Sequence, residues 1–162
     1  MNIGTRNPLF ASAVCLAATL LTPAAGLAEL KVVATTSEYG ALAKEIGGAR
    51  VTVTTIAKPT EDPHFVDARP SQIVAMHRAD VLIEGGAELE SGWLAPLLDG
   101  ARNPRILAGA PGRVVASQGI KLLDIPQSAD RSQGDTHLAG NPHFMLDPEN
   151  AKVVAAHLAR VF

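Results

Sequence analysis

The chain has 162 residues, of which 47% are apolar and 19% are charged, and its formal net charge is −2. This composition is sufficient for one domain with an apolar core, and it excludes both a disordered chain and a basic surface for nucleic acid. Aromatic residues make up only 4% of the chain, which argues against a surface that stacks on bases.

The N-terminus has the layout of a secretory signal peptide. Residues 11–21 form a continuous apolar run that is short for a membrane span, and small residues, Gly26 and Ala28, stand just before Glu29. We therefore predict a signal peptide over residues 1–28 that is cleaved before Glu29. An uncleaved N-terminal anchor is the alternative interpretation.

The only cysteine is part of this leader. Cys15 lies inside the apolar run rather than after it, so it is interpreted as an ordinary signal-peptide residue. Residues 29–162 then contain no thiol. The exported chain could form no disulfide and could use no thiolate as a metal ligand or nucleophile.

Predicted strands and helices alternate along the exported chain. Apolar and β-branched runs predict a buried strand over residues 30–36 and two further strands over residues 51–57 and 80–84. Apolar residues at helical spacing predict helices over residues 37–48, 71–79, 88–98 and 149–162, with Pro96 disturbing the third and Pro148 suited to the first turn of the last. Short strand candidates occur at residues 105–109, 114–117 and 120–126. This alternation predicts an α/β fold with a mostly parallel sheet flanked by helices, whose ligands gather at the carboxyl ends of the strands.

Two of the five histidines share a local sequence. His64 and His143 each follow a proline and precede a phenylalanine, in EDPHF and NPHF, and they are 79 positions apart. The proline stiffens the loop, the phenylalanine can anchor it, and nearby carboxylates such as Asp62 and Asp147 can orient an imidazole whose other nitrogen binds a metal. Residue types alone leave two interpretations open: a metal-binding pair, or two loop histidines satisfied by local hydrogen bonds.

The other three histidines give weaker signals. His137 lies six positions before His143, as an auxiliary ligand or as a surface loop residue. His77 and His157 fall in predicted helices without a histidine four positions away, so the sequence contains no helical metal-binding pair. Both are interpreted as ordinary helical residues.

Four segments occur in a specific order after the leader: KVVATTSEYGALAKEIGG, EDPHF, ARPSQIVAMHRADVLIEGGAELESGWLAPLL and GNPHFMLDPENAKVVAAHLA. Through them the whole exported chain resembles the periplasmic substrate-binding proteins of zinc and manganese ABC importers. The resemblance implies two α/β lobes joined by a long helix, with the metal ion in the cleft between the lobes. The first two ligands of the family match His64 and His143.

The resemblance also implies a missing second lobe, a metal cargo, a membrane partner and a cellular location. The family takes a third ligand, His or Glu, and a fourth, Asp, from a second lobe, so residues 29–162 are expected to be the N-terminal lobe with the C-terminal lobe absent. The implied cargo is a divalent metal ion, zinc first and manganese as the alternative. The implied partner is a membrane permease, the location is the periplasm, and no catalytic residue is expected.

Two imidazoles would leave most of the coordination sphere to water. We therefore expect weak binding, poor selectivity among Zn²⁺, Cu²⁺ and Ni²⁺, and weaker binding below about pH 6 as imidazoles protonate. Two alternatives remain open from the sequence. One is a small exported metal-dependent hydrolase with Glu61 or Asp62 as general base. The other is a non-functional fragment that does not fold stably.

Overall fold

The computed structural model describes residues 28–127 and 136–162. The predicted signal peptide, apart from its last residue, lies outside the described residues, as does Cys15. Within the described ranges, no helix combines the length and the apolar character that a membrane crossing requires.

A parallel four-stranded sheet forms the centre of the fold. Its strands are β1 (Leu30–Ala34), β2 (Val51–Thr55), β3 (Val81–Glu84) and β4 (Arg113–Val115), in the spatial order β2-β1-β3-β4. Every described strand pair is parallel, and Val32 of β1 lies opposite both Val53 and Val81. The two central strands are largely buried, as their continuous apolar sequences require. The predicted α/β fold with a parallel sheet is confirmed.

Helices cover both faces of this sheet. They are α1 (Ser37–Gly47), α2 (Pro70–Arg78), α3 (Leu94–Ala101) and α4 (Pro148–Val161). Successive residues of a strand point to opposite faces, so Val32 packs in one apolar cluster with α1 and α4, whereas Val33 packs in another with α2 and α3. α1 ends at Gly47, and Gly48 takes a φ of 54° beyond it, a conformation that favours glycine.

Two of the short strand candidates are wrong. Residues 105–109 contain no strand, because Pro104 begins a 3₁₀ turn and the side chain of Asn103 accepts a hydrogen bond from the Arg105 amide. Residues 120–126 are also not a strand. Asp124 adopts a φ of 52°, which interrupts an extended backbone.

The third predicted helix is shorter than the sequence indicates. It begins at Leu94 instead of residue 88, because Ala87 and Glu88 have φ values of 52° and 66° that no right-handed helix accepts. Residues 85–93 therefore form a connection, called here the β3–α3 loop. Pro96 falls in the first turn of α3, where proline is tolerated.

Candidate metal centre

His64 lies in the loop that follows β2, near the carboxyl ends of the strands where the sequence predicted a site. Its ring nitrogen Nδ1 lies 2.8 Å from Oδ1 of Asp62, and its backbone N–H donates to the same oxygen at 2.9 Å. Because a carboxylate only accepts, Nδ1 carries the hydrogen, and Nε2 of the neutral ring offers a lone pair. The side chain is only 15% exposed, so this orientation is well confined.

An indole from the neighbouring loop fixes the backbone beside His64. Nε1 of Trp93 donates to the Pro63 carbonyl at 2.8 Å, and Trp93 is buried. The sequence led us to expect Phe65 as the apolar anchor, and this is wrong, since Phe65 is 68% exposed. Val66 and Trp93 already fill the apolar cluster beneath the loop.

His143 stands at the start of a short 3₁₀ helix, Phe144–Leu146. Phe144 is buried beside it, which confirms the predicted apolar anchor, and the His143 amide donates to Oδ1 of Asn141 at 3.0 Å. The expected pairing of the imidazole with Asp147 is wrong. That carboxylate accepts the Glu149 amide at 2.9 Å and caps α4 instead.

The fold brings three imidazoles together. The ring centroid of His64 lies 5.2 Å from that of His143 and 5.1 Å from that of His137. The Nε2 atoms of His64 and His137 are 3.1 Å apart. The three rings line one cavity of about 360 Å³, together with Asp124 and Asn141 among others.

These rings are neighbours rather than a finished coordination sphere. Among the side chains in residues 28–127 and 136–162, no three His, Cys, Asp or Glu groups already stand in an arrangement that would hold a metal ion. Binding an ion would therefore require the rings to reorient around it. The distances between the rings, not their present directions, make the cluster a candidate site.

The segment that carries His137 is tied to the β3–α3 loop. Oε2 of Glu88 accepts hydrogen bonds from the backbone amides of Leu138 and Ala139, the second at 3.3 Å. The Asn141 amide donates to the Leu123 carbonyl at 2.8 Å. The sequence alone leaves the role of His137 open and does not single out Glu88, because no local pattern links residues 50 positions apart.

Two carboxyl groups have shifted pKa values: Asp62 beside His64, and Glu90 in the β3–α3 loop. Hydrogen bonds from the backbone N–H and then the ring of His64 hold the pKa of Asp62 below its usual value, and His143 adds a smaller attraction. Burial raises the pKa of Glu90, although a hydrogen bond from the Thr35 hydroxyl opposes this effect. A negative charge therefore persists at Asp62, beside the imidazoles.

The remaining two histidines lie apart from this cluster. Nδ1 of His77 lies 2.8 Å from the Ala101 carbonyl, which links α2 to α3. His157 lies on α4, where a β-carbon added at Gly119 would lie 3.8 Å from its ring. Neither is among the residues that line the cavity.

Comparison with known proteins gives a consistent set of relatives. The family described as "ZnuA: Zinc-uptake complex component A periplasmic" matches residues 32–162. The manganese ABC transporter substrate-binding lipoprotein PsaA of Streptococcus mitis is 26% identical over 163 residues, which cover 98% of this chain and 50% of that protein. The iron ABC transporter substrate-binding lipoprotein MtsA of Streptococcus pyogenes serotype M1 is 26% identical over 135 residues, covering 82% of this chain and 40% of that protein.

Solved structures share the fold. The crystal structure of a zinc-bound ZnuA deletion mutant has a TM-score of 0.64 and 23% sequence identity, covering 82% of this chain and 45% of that chain. At this identity the likeness shows the fold alone. The chain spans about half the length of the curated relatives that it matches.

Proposed function

The chain belongs to the ZnuA family of periplasmic zinc-uptake components, and from this premise we propose that it binds a divalent metal ion as cargo for an ABC importer, through His64 and His143. The observation that carries the proposal is the distance of 5.2 Å between the centroids of these two rings. In a tetrahedral zinc site with Zn–N bonds of about 2.0–2.1 Å, two imidazole centroids lie roughly 5.2 Å apart. The separation thus suits two ligands of one ion.

Zinc is the proposed cargo, with manganese as the competitor. Imidazole nitrogen suits Zn²⁺, whereas Mn²⁺ prefers carboxylate, carbonyl and water oxygen. The relatives bear names that specify manganese and iron as well as zinc. The imidazole-rich lining of the cavity supports zinc for this chain.

We further propose that the chain works in the periplasm with the permease and ATPase of an importer. The predicted signal peptide over residues 1–28 supports export, and residues 29–162 would form the metal-binding lobe. Both curated relatives are described as substrate-binding lipoproteins of ABC transporters, which supports a membrane permease as the partner.

Solute binding is proposed in place of catalysis. The family is described as an uptake component, and the relatives as substrate-binding proteins. Of the two carboxylates considered as a hydrolytic base, Asp62 orients His64, and Glu61 accepts the Lys58 amide at 3.1 Å while lying 3.6 Å from Arg69. No observation favours the hydrolase.

Calorimetric titration of the purified chain with Zn²⁺ tests the proposal. We expect His64→Ala and His143→Ala each to lower the affinity by at least about tenfold, because loss of a ligand should cost no less than loss of its supporting hydrogen bond. His157→Ala, which removes an imidazole outside the cavity, should bind as the parent does. Parent-like affinity in both site variants would show that the cargo is held elsewhere.

A further inference from the structure

We propose that His137 is a third ligand of the metal ion, positioned by Glu88, so that one lobe supplies three imidazoles to the cargo. The inference rests on the proposed function, because it concerns the same ion in the same cavity. It adds a ligand and a positioning residue to the pair His64 and His143.

The distance between the Nε2 atoms of His64 and His137 is close to that between two nitrogen ligands of one zinc ion. Their Nε2 atoms are 3.1 Å apart, and two nitrogens bound to one tetrahedral zinc ion are separated by roughly 3.3 Å. Nδ1 of His64 carries its hydrogen toward Asp62, so the Nε2 lone pair of His64 faces His137. In the structure Nε2 of His137 therefore donates its hydrogen to this lone pair. Metal binding would place the hydrogen of His137 on Nδ1, and both Nε2 lone pairs could then face one ion.

His64 is the common neighbour of the three rings. Its centroid lies 5.1 Å from that of His137 and 5.2 Å from that of His143, both close to the roughly 5.2 Å of paired imidazole ligands on zinc. Three protein ligands with a fourth position left open is an arrangement that zinc accepts. Rotation of the rings can supply the convergence that their present directions lack.

Glu88 supplies the support that a ligand on a loop needs. Its carboxylate accepts the amides of Leu138 and Ala139, directly after His137, and the Gly140 amide closes a turn onto the His137 carbonyl at 3.1 Å. Glu88 itself sits beside Leu89, which is buried at 4% exposure in the β3–α3 loop. Two hydrogen bonds thus hold the residues directly after His137 to the β3–α3 loop.

A third imidazole changes selectivity as well as affinity. Imidazole nitrogen favours Zn²⁺ over Mn²⁺, so a ligand role for His137 predicts that its loss weakens Zn²⁺ more than Mn²⁺. A purely structural role would weaken both ions alike. The ratio of the two affinities therefore separates a ligand from a residue that only shapes the loop.

The experiment titrates the purified full chain with Zn²⁺ and, separately, with Mn²⁺. We expect His137→Ala to lower Zn²⁺ affinity on the order of 10–100-fold and to reduce the Zn²⁺/Mn²⁺ affinity ratio. Glu88→Ala should reproduce part of that loss, and Glu88→Gln, which keeps an acceptor oxygen for the two amides, should recover most of it. His157→Ala is the matched imidazole control and should leave both affinities unchanged.

Chemical modification provides a measurement on the unsubstituted chain. Diethyl pyrocarbonate acylates free imidazoles, and bound Zn²⁺ should protect His137 together with His64 and His143. His77 and His157 should react at their metal-free rates. This result needs no variant to fold correctly.

The outcomes separate a failure of His137 as a ligand from a failure of metal binding by His64 and His143. Parent-like Zn²⁺ affinity in His137→Ala, or acylation of His137 undiminished by Zn²⁺, overturns the third ligand if His64→Ala and His143→Ala still lose binding. If all three variants bind Zn²⁺ as the parent does, the proposed function fails along with the inference. An unchanged Zn²⁺/Mn²⁺ ratio despite weaker binding assigns His137 a structural role and also overturns the ligand proposal.

Discussion

Asp62 determines which nitrogen His64 can offer to a metal. One carboxylate oxygen accepts both the ring Nδ1–H and the backbone N–H of His64, at 2.8 and 2.9 Å. The same bonds hold the pKa of Asp62 below its usual value, so the group stays anionic wherever imidazole is neutral. A carboxylate behind a metal-binding histidine fixes its tautomer and increases its basicity.

Removal of that carboxylate should therefore weaken metal binding without removing a ligand. We expect Asp62→Ala to lower Zn²⁺ affinity by roughly 10–100-fold, and Asp62→Asn, which keeps an acceptor oxygen, to lower it less. Zinc titration of both variants measures the effect. Asp67→Ala removes an exposed carboxylate of the same loop and should bind like the parent; equal affinity in Asp62→Ala and Asp67→Ala would remove Asp62 from the site.

For single residues, the local sequence identified the histidines of the site but not the residues that hold them in place. The shared Pro-His-Phe pattern singled out His64 and His143, because a stiff loop around a histidine is visible in a few letters. The same pattern gave the wrong partner for His143 and the wrong anchor for His64. Asn141 accepts the backbone N–H of His143, and the anchor beside His64 is Trp93, which bonds the Pro63 carbonyl from 30 positions along the chain.

Among the elements, the β3–α3 loop connects the parts of the site. Within its nine residues, Glu88 holds the segment after His137, Trp93 holds the backbone before His64, and Glu90 fastens the loop to the sheet. The Glu90 carboxylate is 3% exposed and accepts the Thr35 hydroxyl at 2.6 Å and the Gly85 amide at 2.7 Å. Thr35 directly follows β1, so the loop is tied to the central strand.

Burial of Glu90 should leave a signature in the pH dependence of stability. Its pKa is raised in the folded chain, so between the unfolded and folded values the native state binds more protons than the unfolded state. This contribution is fully present below the unfolded pKa and is lost as pH rises through the folded pKa. We therefore expect the free energy of unfolding of the parent to fall, relative to Glu90→Gln, as pH rises through that window.

Urea unfolding of both proteins from pH 4 to pH 8 measures the difference. Glu149→Gln removes an exposed carboxylate from α4 and controls for the loss of one acid as such. A constant difference in unfolding free energy between the parent and Glu90→Gln across the range would mean that Glu90 titrates alike in both states.

The positions of the elements were predictable where the apolar or β-branched runs were long, although β1 and β2 end two residues before the predicted limits. The strands β1, β2 and β3 and helices α1, α2 and α4 follow runs long enough for their periodicity to be distinctive. The errors fall at short apolar runs such as residues 105–109, where one buried side chain, Ile106, is compatible with a turn as well as with a strand. Residues 88–93 were mistaken for helix because two of the left-handed residues at the start of the turn, Ala87 and Glu88, are not glycines.

For the molecule as a whole, the site draws on segments from both faces of one sheet. His64 follows β2 and lies next to the apolar cluster that contains Trp93. His143 precedes α4, whose Val154 and Leu158 are fully buried in the cluster on the other face. The two clusters share the same central strands. The three segments of the site should therefore be lost together when the chain unfolds, in one cooperative transition.

If the segments of the site are lost together, metal binding should stabilise the whole fold. An ion that binds only the native state adds about 2.7 kcal/mol at a free concentration of 100 times Kd. For a domain of this size that corresponds to a rise in Tm of roughly 8–14 °C. We expect Zn²⁺ to produce such a rise in Tm, measured by circular dichroism during thermal unfolding, and EDTA to reverse it.

The controls are two sets of histidine variants. His157→Ala should show the same rise in Tm as the parent, and the double variant His64→Ala/His143→Ala should show a much smaller rise at the same free Zn²⁺. An equal rise in that double variant would mean that the ion stabilises the fold from another site. A Zn²⁺-sensitive early phase followed by an insensitive one would mean that the loops unfold separately from the sheet.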